Sequence, residues 1–337
     1  MIQRFRGSAR CAGGLVAAIL WLLAGCAGPP RAQRGEVLPP LEIASGEHLL
    51  VVSPHPDDEV IGCGGLIRRV RERGGRVDVV YVTQGDGYLE GVMLETHQAH
   101  PKPETFVEYG EWRRRETLGV LTLLRLPEES AHFLGFPDGG LRALWEGQPP
   151  GARSLYRSPT TSADRVPYPE SEDPGAPYTA ARLGSTLRRL LDELHPTLIA
   201  IPDLRDQHGD HSATGLFAID ALHAYLEDDR RPHPRVVTYL VHWPGWPGPS
   251  SEPPPPLRPP ADLTEAPIEW HTLELTAEEA ADKLHVLHVY KTQVDIMGPF
   301  LDRFYRRNEL FGVFVDDPPP DARDLAPLAY RRRSAVR

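Results

Sequence analysis

The chain has 337 residues, with 37 Lys plus Arg against 47 Asp plus Glu and a formal net charge of −10. Hydrophobic residues make up 40% and charged residues 25%, which excludes a disordered chain, and an acidic chain without a long basic stripe is a poor nucleic-acid binder. Its 3 cysteines, Cys11, Cys26 and Cys63, stand in no CxxC or CxxH cluster, which excludes a structural zinc ribbon or finger.

Arg4, Arg6 and Arg10 precede an apolar run from Ala12 to Leu23. The run is shorter than the ~20 residues a bilayer span needs, so residues 1–25 read as a signal peptide. Leu23-Ala24-Gly25-Cys26 resembles the lipobox of bacterial lipoproteins. That resemblance implies lipidation of Cys26 and an exported protein anchored to the cell envelope, at the periplasmic face of a membrane. An ordinary secretory peptide with an incidental Cys26 is the other reading. Residues 26–45 show no periodicity and read as a tether.

From residue 46 the pattern alternates. His48 to Ser53 is an apolar run ended by Pro54, as in a buried parallel strand. Gly62 to Arg73 reads as a helix with Leu66, Ile67 and Val70 on one face, stopped by Gly74-Gly75. Val77 to Val82 is the next strand. Further along, the spacing predicts helices over 111–124, 178–194, 212–226 and 277 to about 293, and strands over 131–136, 197–201, 235–241 and 268–275. Such alternation argues an α/β fold, a Rossmann-like, mostly parallel sheet flanked by helices. Two stretches interrupt it. Residues 149–177 hold 7 prolines and read as a surface loop over or beside the site; residues 244–260 hold 9 and read as a stiff surface insertion. The domain is expected to span 46–316, followed by a C-terminal tail over 317–337.

The chemistry concentrates at two strand ends. Pro54-His55-Pro56-Asp57-Asp58-Glu59 follows the first strand, and the carboxyl ends of strands are where open α/β sheets bind ligands. Pro202-Asp203-Leu204-Arg205-Asp206-Gln207-His208-Gly209-Asp210-His211 follows another. His55, Asp58 and His211 make a three-ligand set with positions left open, which suits a catalytic zinc site, with a neighbouring carboxylate spare as a base. Alone, Pro-Asp-Asp reads as a turn or helix cap and His-x-x-His as a solvated helix face. Together, at two strand ends of one sheet, they outweigh those readings. Gly62-Cys63-Gly64-Gly65 fails as a dinucleotide loop because Ile67 takes the third glycine position, and no GxSxG elbow or P-loop occurs. No nucleotide cofactor is therefore expected.

In these residues the chain resembles the PIG-L/LmbE-like N-acetylglucosaminyl deacetylases, zinc-dependent amidases with a Rossmann-like fold. The likeness covers most of residues 46–316. Besides the two motifs, Gly110-Glu111-Trp112-Arg113-Arg114-Arg115-Glu116 looks like the family's Gly-Arg-Glu helix, and Gly135-Phe136-Pro137-Asp138-Gly139 like its Gly-Asp-Gly turn. Tyr290-Lys291-Thr292-Gln293 and Asn308-Glu309-Leu310-Phe311 are similar to further family segments. The resemblance implies that His55, Asp58 and His211 ligate Zn²⁺ or another divalent metal. It implies Asp57 as general base, His208 as oxyanion stabiliser, Asp210 as the residue that orients the site, and Arg113 and Asp138 as partners of sugar hydroxyls. Read alone, Arg113 is also a surface helix residue, Asp138 a turn residue and Cys63 a small packed thiol. The departures are the two Pro-rich insertions and Asp206, where some members place a Tyr. The expectation is a lipid-anchored zinc N-deacetylase acting on an N-acetylglucosamine-type sugar or glycan. The alternatives are a hydrolase of another amide, on a small molecule or envelope glycan, and a non-catalytic carbohydrate-binding lipoprotein.

Overall fold

The computed structural model describes residues 37–147, 155–263 and 268–329; the signal segment, Cys26 and the Arg331–Arg333 tail lie outside them. Strand β1 (His48–Ser53) leads through the His-Pro-Asp-Asp-Glu loop into α1 (Asp58–Glu72), then β2 (Arg76–Thr83). Two helices, α2 (Leu89–Thr96) and α3 (Pro103–Leu123), precede β3 (Ala131–Phe136) and the short α4 (Leu141–Glu146). There follow α5 (Ala180–Leu194), β4 (Leu198–Pro202), α6 (Gly209–Leu226), β5 (Arg235–Tyr239) and β6 (Ile268–Glu274). The chain closes with α7 (Ala277–Leu287), α8 (Lys291–Leu301), β7 (Asn308–Phe314) and α9 (Ala322–Leu325).

The seven strands form one sheet in the order β3-β2-β1-β4-β5-β7-β6. The first five of that order run parallel, and β7 lies antiparallel to both β5 and β6. Successive strand residues face opposite sides of a sheet, and β1 uses this fully. Leu50 and Val52 join the core under α5 and α6. Leu49 and Val51 join the opposite core with Val60, Ile61 and Leu66 of α1. Both faces are covered, as a parallel sheet requires. Each fully buried aliphatic side chain in these two layers contributes roughly 1.5–3 kcal/mol.

Topology decides where the site forms. From β1 the chain steps outward to β2 and β3, then returns to β4 on the other side of β1. The carboxyl ends of β1 and β4 therefore flank the point where strand order reverses, the place open α/β sheets use for ligands. Both polar motifs emerge there.

Several boundaries differ from expectation, each for a physical reason. The tether over 26–45 is too long: Leu41 and Ile43 are buried, and the Leu41 amide donates to the Thr272 carbonyl at 2.8 Å. The tail over 317–337 is partly core, since Ala322 and Leu325 are buried beside α6 residues. Helix α1 starts at Asp58, with Asp58 and Glu59 in a first turn that favours acids. Helix α3 starts eight residues before 111, at Pro103 in the first-turn position proline prefers. The helix over 277–293 is two helices, broken at His288–Tyr290. Finally, the 155–177 part of the first Pro-rich stretch packs beside the site, burying Val166, Tyr168 and Ala176.

Candidate active site

The β1–α1 loop is held open by its neighbours. Ser53 Oγ donates to the His55 carbonyl at 2.7 Å, and the Thr83 amide donates to the Pro54 carbonyl at 3.0 Å. Asp57, the N-cap of α1, has φ of 118°, a conformation L-residues avoid. Its amide donates to Glu59 Oε2 at 3.0 Å, while Glu59 Oε1 accepts from the Tyr290 hydroxyl. The break between α7 and α8 is what brings Tyr290 there. Burial pushes the Glu59 carboxyl up to about 7 against the pull of that Tyr290 bond.

Ligand-type atoms converge on Asp58. Its Oδ2 lies 3.0 Å from His55 Nδ1 and 3.1 Å from His211 Nε2, and accepts the His55 amide at 3.1 Å. Burial opposes ionisation of Asp58, but the facing His211 and His55 hold it well below the usual carboxylate range. His211 is fully buried, and neither ring nitrogen has a partner in hydrogen-bond geometry. Desolvation alone would lower its pKa; Asp58 and Asp206 instead raise it to about 10. With Nδ1 facing Asp206 at 3.3 Å, Nε2 beside Asp58 Oδ2 is the ring atom that would bind a cation. Three overlapping sets each place one ligand atom per residue within 4.8 Å: His55, His208 and His211; Asp58, His211 and His242; His55, Asp138 and Asp210.

His242 is the residue the sequence reading missed. It lies three positions beyond β5, its ring 4.7 Å from that of His211 and 5.2 Å from that of His208, and it stacks on Phe300 at 5.5 Å. Burial and the nearby His211 lower its pKa to about 3, so it stays neutral. Its signal was position: the predicted strand over 235–241 ends immediately before it, at the same sheet edge as the other motifs.

Asp57 is buried beside the cluster, and desolvation pushes its carboxyl up to about 8, opposed by Arg113. Arg113 was expected to hold sugar hydroxyls. Its side chain is only 4% exposed, with Nη1 donating to Gly85 O at 3.1 Å, Nη2 donating to Pro56 O and lying 3.5 Å from Asp57 Oδ2. It braces the Asp57 loop from behind. Asp138 does lie at the cluster, with Oδ1 3.1 Å from His55 Nε2 and Oδ2 accepting the Gly87 amide at 2.7 Å.

The second motif organises itself around two carboxylates. Asp210 accepts from the Gly139 and Leu141 amides at 2.6 and 3.0 Å, locking the Gly-Asp-Gly turn onto α6, and lies 3.4 Å from His55 Nε2. Asp206 accepts from the His208, Val241 and His242 amides at 2.9, 3.0 and 2.9 Å and faces His211 Nδ1 at 3.3 Å. Burial resists its charge, yet His211 and these donors hold it at about 2. His208 caps α6: its Nδ1 accepts the Asp210 amide at 3.3 Å. Burial and the neighbouring His55 and His211 lower its pKa, so it is neutral, and with Nδ1 accepting, its proton sits on Nε2. Cys63 is fully buried in α1, where burial pushes the thiol up and leaves it inert packing.

The family model described as PIG-L, GlcNAc-PI de-N-acetylase, matches residues 50–222, just over half of the chain and both motifs. A curated relative, the 1D-myo-inositol 2-acetamido-2-deoxy-alpha-D-glucopyranoside deacetylase of Streptomyces scabiei (strain 87.22), is 32% identical over 111 residues. That match covers 32% of this chain and about a third, 33%, of the relative's length. Among solved structures, a deacetylase of the teicoplanin biosynthesis pathway, in complex with teicoplanin, superposes with a TM-score of 0.51 at 19% identity, covering 80% of this chain and 99% of that one. The N,N'-diacetylchitobiose deacetylase from Pyrococcus horikoshii gives 0.47 at 18% identity, covering 79% and 82%. The teicoplanin-pathway likeness is one of fold, and the family model spans both motifs at the sheet's switch point: the chain belongs to the PIG-L, GlcNAc-PI de-N-acetylase, family.

Proposed function

We infer that this protein hydrolyses the acetamide of an N-acetylglucosamine-type sugar or glycan, releasing acetate and a free amine. One observation carries the reading: His55 Nδ1 and His211 Nε2 lie 3.0 and 3.1 Å from one oxygen of Asp58, with the spare buried carboxylate of Asp57 alongside. The family description and the curated relative's name both support de-N-acetylation of such a sugar.

His55, Asp58 and His211 would hold a divalent cation, zinc by the character of the donor set. Such an ion supplies Lewis-acid polarisation of the acyl oxygen and water of pKa about 7. Asp57 accepts the proton of the attacking water and returns it to the departing amine, a task suited to a base tuned toward neutral pH. Arg113 positions that carboxylate from behind. His208 donates its Nε2 proton to the oxygen that gains charge, and a fixed donor of this kind is worth about 10²–10³ in rate. Asp138 takes a sugar hydroxyl at the edge of the cluster.

The test uses the full chain in detergent with added zinc and follows acetate release from N-acetylated sugars. Asp57→Asn should lose at least about 10²-fold in kcat while its metal content stays unchanged; wild-type turnover in that variant overturns the mechanism. A chelator should abolish release, and zinc should restore it. The export reading rests on Arg4, Arg6, Arg10 and the segment ending at Cys26, outside the described residues. It expects the protein in the membrane fraction and its release by Cys26→Ala.

A further inference from the structure

The second Pro-rich insertion, which the catalytic reading leaves unused, builds a groove of about 370 Å³. Trp243, Trp246, Arg258, Pro260, Asp262 and Arg306 line it, and most of its remaining wall is Pro and Gly. It adjoins the catalytic cluster through the chain, since Trp243 follows His242 directly. A run of packed aromatic rings lies between the two. His242 stacks on Phe300, Phe300 meets Phe304 edge-on at 5.5 Å, and Phe304 meets Trp246 edge-on at 5.9 Å.

The groove is preformed. Trp243 Nε1 donates to Asp262 Oδ1 at 2.9 Å, and Trp246 Nε1 donates to Arg258 O at 2.7 Å. Leu257 and Asn308 exchange two bonds, of 2.6 and 3.1 Å, that tie the insertion to β7. Arg306 donates to the carbonyls of Arg303 and Gly248. Both indole N–H groups are therefore spent internally, and what the half-buried tryptophans offer a ligand is ring surface. The proline wall contributes carbonyl acceptors and ring C–H without N–H donors. Exposed Arg258 and Asp262 add one donor and one acceptor group. Aromatic surface with a few fixed polar groups and an excess of acceptors suits a neutral, hydroxyl-rich ring.

We propose that this groove is a subsite for a second sugar unit, linked to the one deacetylated next to His242, so that the substrate class is an oligosaccharide and not a free monosaccharide. The proposal rests on the de-N-acetylase reading of the site and specifies its substrate. The test compares acetate release by the full chain in detergent with zinc, on N-acetylglucosamine and on its β-1,4-linked trimer. Wild type should show kcat/KM at least about tenfold higher on the trimer, the gain expected of about 1.4 kcal/mol of added binding. In Trp243→Ala and Trp246→Ala the trimer-to-monomer ratio should fall toward one, and Trp246→Tyr, which keeps an aromatic ring, should retain most of it. Equal kcat/KM on the two substrates in wild type, or an unchanged ratio in the alanine variants, overturns the subsite while leaving deacetylation intact.

A second measurement is independent of turnover: quenching of tryptophan fluorescence by the trimer in Asp57→Asn. Saturable quenching by the trimer, lost in the background of either alanine variant, supports the subsite even if no acetate is released from any sugar, a result that would instead reject the de-N-acetylase reading. Absence of quenching together with no chain-length preference rejects the subsite outright.

Discussion

Asp57 shows function stored as strain. A non-glycine residue at φ 118° costs about 1–3 kcal/mol and persists only where its surroundings over-determine it. Here the Glu59 carboxylate holds the Asp57 amide, Arg113 holds the preceding Pro56 carbonyl, and the Val60 and Ile61 amides hold its own carbonyl at 3.0 and 2.9 Å. Burial further penalises its charge. Glycine relieves the backbone cost that alanine keeps, while both substitutions equally strand buried Arg113, so Asp57→Gly should be about 1–2 kcal/mol more stable than Asp57→Ala in denaturant, both losing acetate release. An Asp57→Gly no more stable than Asp57→Ala would show that the conformation is not strained. Asp206 makes the complementary case. It takes three backbone amides and faces the inner nitrogen of His211. Partners behind a metal-ligating histidine typically matter by 10–100-fold in affinity. Asp206→Asn keeps one acceptor oxygen, for the His208 amide or for the Val241 and His242 amides but not both, and loses the charge, and should weaken zinc binding by about 10–100-fold, as measured by competition with a chromogenic chelator.

Helix α1 carries Asp57 and Asp58 at its amino end, and its middle is clamped from across the sheet. The Gly65 and Leu66 amides donate to Glu309 Oε1 and Oε2 at 2.7 and 2.9 Å. Lys283 of α7 donates to the Ile61 carbonyl at 2.8 Å and to Glu309 Oε1 at 2.6 Å. Gly65 permits this approach, since a Cβ there would lie 3.1 Å from the Glu309 carboxyl. Removing one partner of a buried ion pair strands the other, at about 3–5 kcal/mol. Lys283→Met should therefore lower the unfolding free energy by about that amount; a loss under 1 kcal/mol would mean the pair is solvated. The same clamp explains what the sequence concealed. Strands β1, β2 and β4 were legible because they are continuous apolar runs at the sheet centre, and α5 because Leu183, Leu187, Leu190 and Leu191 repeat at helical spacing. Strand β7 was not, because Asn308 and Glu309 are polar residues buried to serve Leu257 and α1, which no hydrophobic pattern encodes. Helix α2 buries only Gly91 and Val92 and leaves Leu89 and Leu94 exposed, so it has no core stripe to read. The site motifs were legible from their place at strand ends. The burial of Arg113 behind Asp57, and the arrival of His242 and Tyr290, depend on packing between distant segments.

At the scale of the whole molecule, the two ends of the sheet have opposite tasks. The carboxyl ends hold the candidate site, and the amino-terminal halves of β1, β2 and β3 hold a charge network centred on buried Asp78. His48 Nε2 lies 2.6 Å from it, Arg76 Nε 2.8 Å and His132 Nε2 3.3 Å. His132 Nδ1 reaches Glu172 at 2.8 Å, and Glu172 meets Arg189 of α5 at 2.9 Å, so the network joins three strands to a helix. Burial works against the His132 charge, but the bonds to Asp78 and Glu172 prevail and raise it from 6.5 to about 9. The His132 bond, partly offset by burial, lowers Glu172 from 4.5 to about 2. A raised histidine pKa stabilises fully below the unfolded value of 6.5 and loses that contribution as pH climbs through 9. A lowered glutamate pKa stabilises fully above 4.5 and loses it as pH falls through 2. The network's contribution should therefore be greatest between pH 4.5 and 6.5. His132→Gln removes the alkaline component and, because the His132 bond is the first cause of the lowered Glu172 value, weakens the acidic one as well. Denaturant unfolding of wild type between pH 6.5 and 9 should show stability falling with pH, and the variant a shallower fall over the same range. Parallel slopes in the two proteins would place the titrating group elsewhere.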